Sequence, residues 1–221
     1  MLKKIKSQIP NAITCLNLTS GCIAIALAFK GLYLEASIAI FAAAVFDFMD
    51  GAMARLLKAY SDMGKELDSL SDLVSFGVAP AAMVYNAFPQ EYSWIALTIP
   101  VCGALRLARF NVDTRQTTSF IGLPIPANAL FWIGAVSYIN ANGPFETWIM
   151  MPGVFLFSQL MLDNIPLFSL KFHDFRLSTE NLLRYLIIIA AVVLTVLMGL
   201  PGLSLTIVLY LLLGLIYPFL P

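Results

Sequence analysis

Long apolar runs follow one another along nearly the whole chain, separated by short polar stretches. A helix that crosses a membrane needs about 20 mainly apolar residues, and by that measure the pattern predicts about eight spans. The first six contain glycine, proline or polar interruptions, whereas leucine, isoleucine and valine dominate the last two. Their approximate bounds are 12–29, 34–53, 67–88, 94–110, 124–139, 146–162, 182–200 and 204–220. The prediction is an all-α integral membrane protein with a short N-terminal juxtamembrane helix.

The composition agrees with this fold class. Hydrophobic residues make up 60% of the 221 residues, charged residues only 12%, and the mean hydropathy is +0.85. A soluble domain carries roughly 25% charged residues. We expect one membrane domain over residues 1–221, with a catalytic core at about 10–165. The two C-terminal helices, at about 182–220, are expected to face lipid or a partner subunit.

Lysine and arginine concentrate at one side of this predicted topology, and Lys30 is the exception on the other side. Such residues accumulate in cytoplasmic loops. Both termini are therefore expected in the cytoplasm. The charged groups are Lys3, Lys4 and Lys6 before the first span, Arg55, Lys58 and Lys65 between the second and third, Arg106, Arg109 and Arg115 around the junction of the fourth and fifth, and Lys171, Arg176 and Arg184 around the junction of the sixth and seventh.

Four of the five aspartates in the stretch 47–72 form two closely spaced pairs. Asp47 and Asp50 are three residues apart, and Asp68 and Asp72 are four apart, so each pair lies on one face of a helix. Two packed helices could bring all four carboxylates together. Uncompensated anions are costly at membrane depth, so protons or cations must neutralise them. We interpret the cluster as a divalent metal site that opens to the cytoplasm.

The residues between these aspartates suit a phosphate-bearing ligand. Gly51, Ala54 and Gly64 remove side-chain bulk, which lets a base or a pyrophosphate approach the backbone. Arg55 offers a planar fork of donors for phosphate. With oxygen ligands and neither sulfur nor imidazole nearby, Mg²⁺, Mn²⁺ or Ca²⁺ is favoured over zinc.

The complete pattern, DFMDGAMARLLKAYSDMGKELDSLSD, resembles the signature of the CDP-alcohol phosphotransferase family without a departure. These enzymes transfer a phosphatidyl or similar group from a CDP-linked donor to an alcohol and release CMP. The resemblance implies that Asp47, Asp50 and Asp68 bind metal and that Asp72 is the general base and a ligand of a second ion. It also implies that Gly51, Ala54, Arg55 and Gly64 shape the CDP site.

Three further stretches resemble the membrane-embedded phosphatidylserine synthases of this family: PNAITCLNLTSG, SDLVSFGVAPA, and RLARFNV followed by FIGLPIPANA. They imply CDP-diacylglycerol as donor and L-serine as acceptor. Glycerol 3-phosphate or an inositol phosphate would use the same metal core, and no residue distinguishes a diacyl from a diether donor. A homodimer in a bacterial or archaeal cell membrane is expected by the same resemblance, in contact with membrane lipids and with no nucleic acid.

Polar residues outside the signature are candidates for substrate contacts. Arg106 and Arg109, with Asn111, could bind the serine carboxylate or the donor phosphates. For the arginines, the alternative is a role as topology anchors. Thr14 and Asn17 could contact the nucleotide, or they could hydrogen-bond between helices.

Two other functions are alternatives to an enzyme: an ion-coupled transporter and a purely structural role for the aspartates. Intramembrane acids often mark ion paths, as in an ion-coupled transporter. However, the aspartates cluster at one end of the spans, and no inverted repeat is evident. Alternatively, the aspartates could serve only as ion-pair partners of basic residues. Neither reading explains the glycines at fixed offsets.

Overall fold

The computed structural model describes residues 2–112, 120–168 and 178–217, with side chains from residue 8 onward except at 120, 121 and 166. Arg115, Lys171 and Arg176, part of the predicted cytoplasmic charge, lie outside the described residues. Helices dominate, which confirms the all-α class. Their bounds are α1 Leu2–Phe29, α2 Tyr33–Leu57, α3 Asp62–Asp72, α4 Ala79–Ala87, α5 Thr98–Val112, α6 Ile125–Asn142, α7 Thr147–Leu160, α8 Thr179–Met198 and α9 Pro201–Ile216.

Within the described residues, five helical stretches are long and apolar enough to cross a membrane. They are Gln8–Phe29, Tyr33–Leu57, Asp62–Ala87, Ser93–Val112 and Thr179–Met198. Helices α7 and α9 are apolar but shorter than the usual span. The protein is thus a helical membrane protein, and the count of about eight crossings stays a prediction.

Two boundaries are defined more closely by the structure. The predicted juxtamembrane helix is continuous with the first span, because α1 runs from Leu2 through Pro10 to Phe29. A proline inside a membrane helix is tolerated where neighbouring groups satisfy the freed backbone. The third helix begins at Asp62 rather than near residue 67, since the Ser61 hydroxyl accepts a hydrogen bond from the Gly64 amide and caps it.

A π-helical segment, Leu73–Val78, joins α3 to α4 without a break and begins directly after Asp72. Short π-helical turns inside α-helices occur frequently at functional sites. Its Ser75, Phe76 and Gly77 are buried. The segment packs against α1, α5 and α6, so the last aspartate of the motif lies next to a tightly enclosed part of the bundle.

A two-residue antiparallel pairing, not predicted from the sequence, ties the chain before α6 to the chain after α7. Strand β1, Phe120–Ile121, pairs with β2, Pro166–Leu167. Gly122 follows with a φ of +75°, and a Cβ there would lie 2.7 Å from the Asp163 carbonyl oxygen. The backbone at this point needs glycine for both its conformation and its space.

The helices pack around one shared core. Helix α1 packs against α2, α3 and α4, which brings α1 beside both halves of the aspartate motif. Helix α9 packs against α6 and α8, and its Tyr210 hydroxyl donates to the Phe168 carbonyl oxygen at 2.9 Å. The division into a catalytic core and two outer helices stays a prediction.

Candidate metal and substrate site

Three aspartates converge where the C-terminal half of α2 faces α3. One carboxylate oxygen from each of Asp47, Asp50 and Asp68 lies within 4.8 Å of the others. The i, i+3 spacing on α2 puts Asp47 and Asp50 on the face that meets Asp68. Asp50 is buried, with 4% of its surface exposed, and the other two are partly buried.

Helix α1 supplies hydrogen bonds to this acidic group. The Thr14 hydroxyl lies 2.6 Å from Asp50 Oδ2 and donates to it. The Asn17 amide Nδ2 donates to Asp72 Oδ1 at 3.3 Å. Among the described residues, no lysine or arginine forms an ion pair with Asp50, Asp68 or Asp72. In this part of the chain, these three carboxylates are therefore not members of an ion-pair network.

A cavity of about 220 Å³ opens on the α1 side of the cluster, and we call it the α2 cavity. Small residues and residues with hydroxyl groups make up most of its lining, and Asp50 and Asp68 are its acidic residues. Its lining residues are Pro10, Asn11, Thr14, Asp50, Gly51, Ala54, Ala59, Tyr60, Ser61, Gly64, Lys65 and Asp68.

A second cavity, of about 400 Å³, borders the acidic group through Asp47, Asp68 and Asp72, and we call it the α5 cavity. It brings the buried Arg106 and the N-terminus of α6 to the side of α3 that carries Asp72. Its lining residues are Asp47, Lys65, Asp68, Ser69, Asp72, Arg106, Leu107, Phe110, Asn111, Pro124, Ile125 and Pro126.

Several sequence-predicted residues meet at these cavities. Gly51, Ala54, Gly64 and Thr14 line the α2 cavity. No described atom lies within 4 Å of a Cβ built at Gly51, so the missing side chain leaves open space. At Gly64 a Cβ would come within 3.0 Å of both Asn11 Oδ1 and Ser61 Oγ.

Other predicted residues lie elsewhere. Arg55 is exposed in the last turn of α2 and is not among the described residues that line either cavity. Arg109 is exposed, and its guanidinium donates to the Leu162 carbonyl oxygen at 3.1 Å and to Asn164 Oδ1 at 2.7 Å. Of the candidate acceptor-binding residues, Arg106 and Asn111 line the α5 cavity.

Lys65 lines the candidate site, whereas from the sequence it was considered only as a topology charge or as an ion-pair partner of the aspartates. It lines both cavities, and its Nζ donates to the Asn111 carbonyl oxygen at 3.1 Å. Lys65 precedes Asp68 by three residues, so helical spacing places the two on one face and could have indicated its position.

The candidate metal ligands fit a hard divalent cation. Every candidate ligand atom is a carboxylate oxygen, and the spacing of these atoms within 4.8 Å is compatible with a shared ion at 2.0–2.6 Å from each. Carboxylates without sulfur or imidazole suit Mg²⁺, Mn²⁺ or Ca²⁺. Asp47, Asp50 and Asp68 could therefore hold a metal ion.

Fold and site together define a helical membrane protein with a carboxylate cluster that borders two cavities. A family model described as CDP-alcohol phosphatidyltransferase matches residues 7–159, and the chain belongs to that family. This confirms the family predicted from the aspartate motif. The match covers both cavities and ends within α7.

Curated relatives bear the names of two related enzymes. A CDP-diacylglycerol–serine O-phosphatidyltransferase of Methanocaldococcus jannaschii is 40% identical over 160 residues, 72% of this chain and 75% of that protein. One of Helicobacter pylori is 31% identical over 217 residues, 94% of this chain and 89% of that protein. An archaetidylserine synthase of Methanothermobacter thermautotrophicus is 42% identical over 136 residues, 58% of each chain.

Proposed function

We propose that this protein transfers the phosphatidyl group of CDP-diacylglycerol to the hydroxyl of L-serine, giving phosphatidylserine and CMP. The names of the relatives support this donor and this acceptor. The observation that carries the proposal is that one carboxylate cluster borders two cavities, with Asp68 and Lys65 lining both. A group-transfer enzyme needs two substrates that meet at one reacting centre.

The α2 cavity is the proposed donor site. The open space at Gly51 and the small side chain of Ala54 leave room for the CDP group beside Asp50 and Asp68. Asp47, Asp50 and Asp68 would hold the divalent cations, with Asp72 a ligand of a second ion. When bound, the cations would offset the charge on the pyrophosphate and on the departing CMP.

The α5 cavity is the proposed acceptor site. Arg106 is 8% exposed there, and its Nε atom has no hydrogen-bond partner among the described residues. The N-terminus of α6, at Ile125, lines the same cavity and carries the positive end of a helix dipole. A guanidinium and a helix N-terminus together suit the carboxylate of an amino acid.

Asp72 is the proposed general base, since it lines the α5 cavity beside Arg106. Its carboxylate takes the proton of the serine hydroxyl as the serine oxygen bonds to the phosphorus that bears diacylglycerol. The bond from that phosphorus to the CMP oxygen breaks, and CMP leaves with the electron pair. A positioned base contributes about 10² to 10⁴ in rate.

For topology and assembly, we propose what the sequence led us to expect. We infer about eight crossings, with both termini and the site on the cytoplasmic side, because Arg55, Lys58 and Lys65 flank the cluster. Diacylglycerol tails would then remain in lipid while the CDP group enters the α2 cavity. A single membrane domain and a homodimer are proposed from the resemblance to the family.

A diether lipid donor is the second candidate, supported by the relative named archaetidylserine synthase. It would leave the carboxylate cluster and both cavities in the same roles, because only the lipid tails differ. Among acceptors, glycerol 3-phosphate and inositol phosphate carry a phosphate where serine carries a carboxylate.

An acceptor panel tests the proposal. Purified protein in nanodiscs, supplied with CDP-diacylglycerol and Mn²⁺ or Mg²⁺, should release CMP with L-serine and not with glycerol 3-phosphate, inositol phosphate or water. Asp72→Asn should lose most of this turnover while still binding CMP. Release with another acceptor would overturn the serine assignment, and near-normal activity of Asp72→Asn would overturn the base assignment.

A further inference from the structure

Asn17 contacts the acidic cluster from the protein interior rather than from either cavity. Its side chain is completely buried, and it is not among the described residues that line the α2 or the α5 cavity. Its Nδ2 atom donates to Asp72 Oδ1 at 3.3 Å. Asn17 therefore contacts the proposed base, whereas Thr14, one helical turn before it, also lines the donor cavity.

The two polar atoms of the Asn17 amide differ in their surroundings. Nδ2 bonds to Asp72, while Oδ1 is buried with no hydrogen-bond partner among the described residues. A carboxylate only accepts hydrogen bonds, so the amide nitrogen is the atom that matches it. Within the described part of the chain, the Asn17 side chain thus makes its hydrogen bond to Asp72.

The backbone of α1 is fixed at this point by the same stretch that carries Asp72. Ser71 Oγ donates to the Thr14 carbonyl oxygen at 3.3 Å, and Ser75 Oγ donates to the Asn17 carbonyl oxygen at 3.0 Å. Both serines are fully buried. Because they bracket Asp72 in sequence, the Asn17 amide is held at a defined place relative to that carboxylate.

We propose that Asn17 is a positioning residue, which fixes one oxygen of the Asp72 carboxylate and leaves the other to face the acceptor hydroxyl in the α5 cavity. The inference rests on the proposed role of Asp72 as base. It assigns Asn17 to the proton-transfer half of the site rather than to the nucleotide. The role differs from that of Thr14, whose hydroxyl donates to Asp50 beside the donor cavity.

The test is the Asn17→Leu variant, which keeps a side chain of similar size and removes the amide. Misplacing a reacting group by about 1 Å can cost on the order of 10²-fold in rate, so we expect kcat for serine-dependent CMP release to fall by about that factor. The KM for CDP-diacylglycerol and the affinity for CMP in the presence of Mn²⁺ should stay unchanged. Asn17→Ser, whose side chain is too short to reach Asp72, should likewise lower kcat and leave the KM for CDP-diacylglycerol and the affinity for CMP unchanged.

Asn86→Leu is the matched control. Its amide also bonds to α1, at the Ala28 carbonyl oxygen 2.9 Å away, but far along the helix from the aspartates. We expect this variant to keep its turnover. An equal loss of kcat in Asn86→Leu and Asn17→Leu would overturn the inference, because the loss would then reflect a general weakening of α1 packing.

A double-mutant cycle separates this inference from the proposed function. If Asn17 acts through Asp72, adding Asn17→Leu to Asp72→Asn should cause no further loss of turnover. Additive losses would overturn the positioning role and leave the base assignment intact. Weaker CMP binding with an unchanged kcat would assign Asn17 to the nucleotide. Lack of serine-dependent CMP release by the unmodified protein would refute the proposed function itself.

Discussion

At the scale of single residues, the acidic cluster depends on side chains from a helix without acids. Helix α1 carries no aspartate or glutamate, yet Thr14 and Asn17 donate to Asp50 and Asp72. Partners of this kind orient ligating carboxylates and are often as important as the ligands themselves. The carboxylates from α2 and α3 thus depend on a third helix for their orientation.

Arg106 and Arg109 offer a matched comparison within one helix. We expect Arg106→Gln to raise the KM for serine by about 10- to 100-fold, because a hydrogen bond to a charged group is worth roughly 1.5–3 kcal/mol. Arg109→Gln should leave that KM unchanged, since its guanidinium bonds to Leu162 and Asn164. Steady-state kinetics with varied serine measures both. A higher serine KM in Arg109→Gln alone would reverse the assignment of the two arginines.

At the scale of elements, the contact between α1 and the π-helical segment 73–78 sets the geometry of the site. A Cβ built at Gly21 would lie 2.8 Å from the Ser75 Cα and 2.4 Å from its Oγ. A backbone atom cannot move aside as a flexible side chain can. The close approach of the two helices therefore requires glycine at position 21.

Gly21→Ala should accordingly destabilise the protein and lower its turnover. Overpacking typically costs about 1–3 kcal/mol, and here the strain would separate Asn17 from Asp72. Thermal unfolding in detergent, followed by activity, measures the change. Gly153→Ala is the control, because no described atom lies within 4 Å of its Cβ position. Equal melting temperatures for the two variants would show that the α1 contact is looser than described.

At the scale of the whole molecule, the distribution of basic residues is the basis for the proposed orientation of the site. In a background with Cys15, Cys22 and Cys102 replaced, a cysteine at Lys58 should react with a membrane-impermeant maleimide only after the cells are opened. A cysteine at Gln90, in the loop between α4 and α5, should react in intact cells. The opposite labelling pattern would place the aspartates on the outer side and contradict the proposed topology.

Local spacing predicted much of this molecule. Helical periodicity placed Asp47 and Asp50 on one face, and the length of the apolar runs indicated the order of the helices. The sequence could not indicate that Asn17 is enclosed or that Arg109 bonds to the chain after α7, because both depend on contacts between distant segments. The pairing of β1 with β2 and the Ser61 cap were missed for a related reason, since each is short and has no periodic pattern.

The most direct test of the central claim follows the serine oxygen. L-Serine labelled with ¹⁸O in its hydroxyl would be incubated with the protein, CDP-diacylglycerol and Mn²⁺, and the products analysed by mass spectrometry. The account predicts labelled phosphatidylserine and unlabelled CMP, with both largely lost in Asp72→Asn. Phosphatidate together with a labelled conjugate of serine and CMP would mean attack at the other phosphorus and would contradict it.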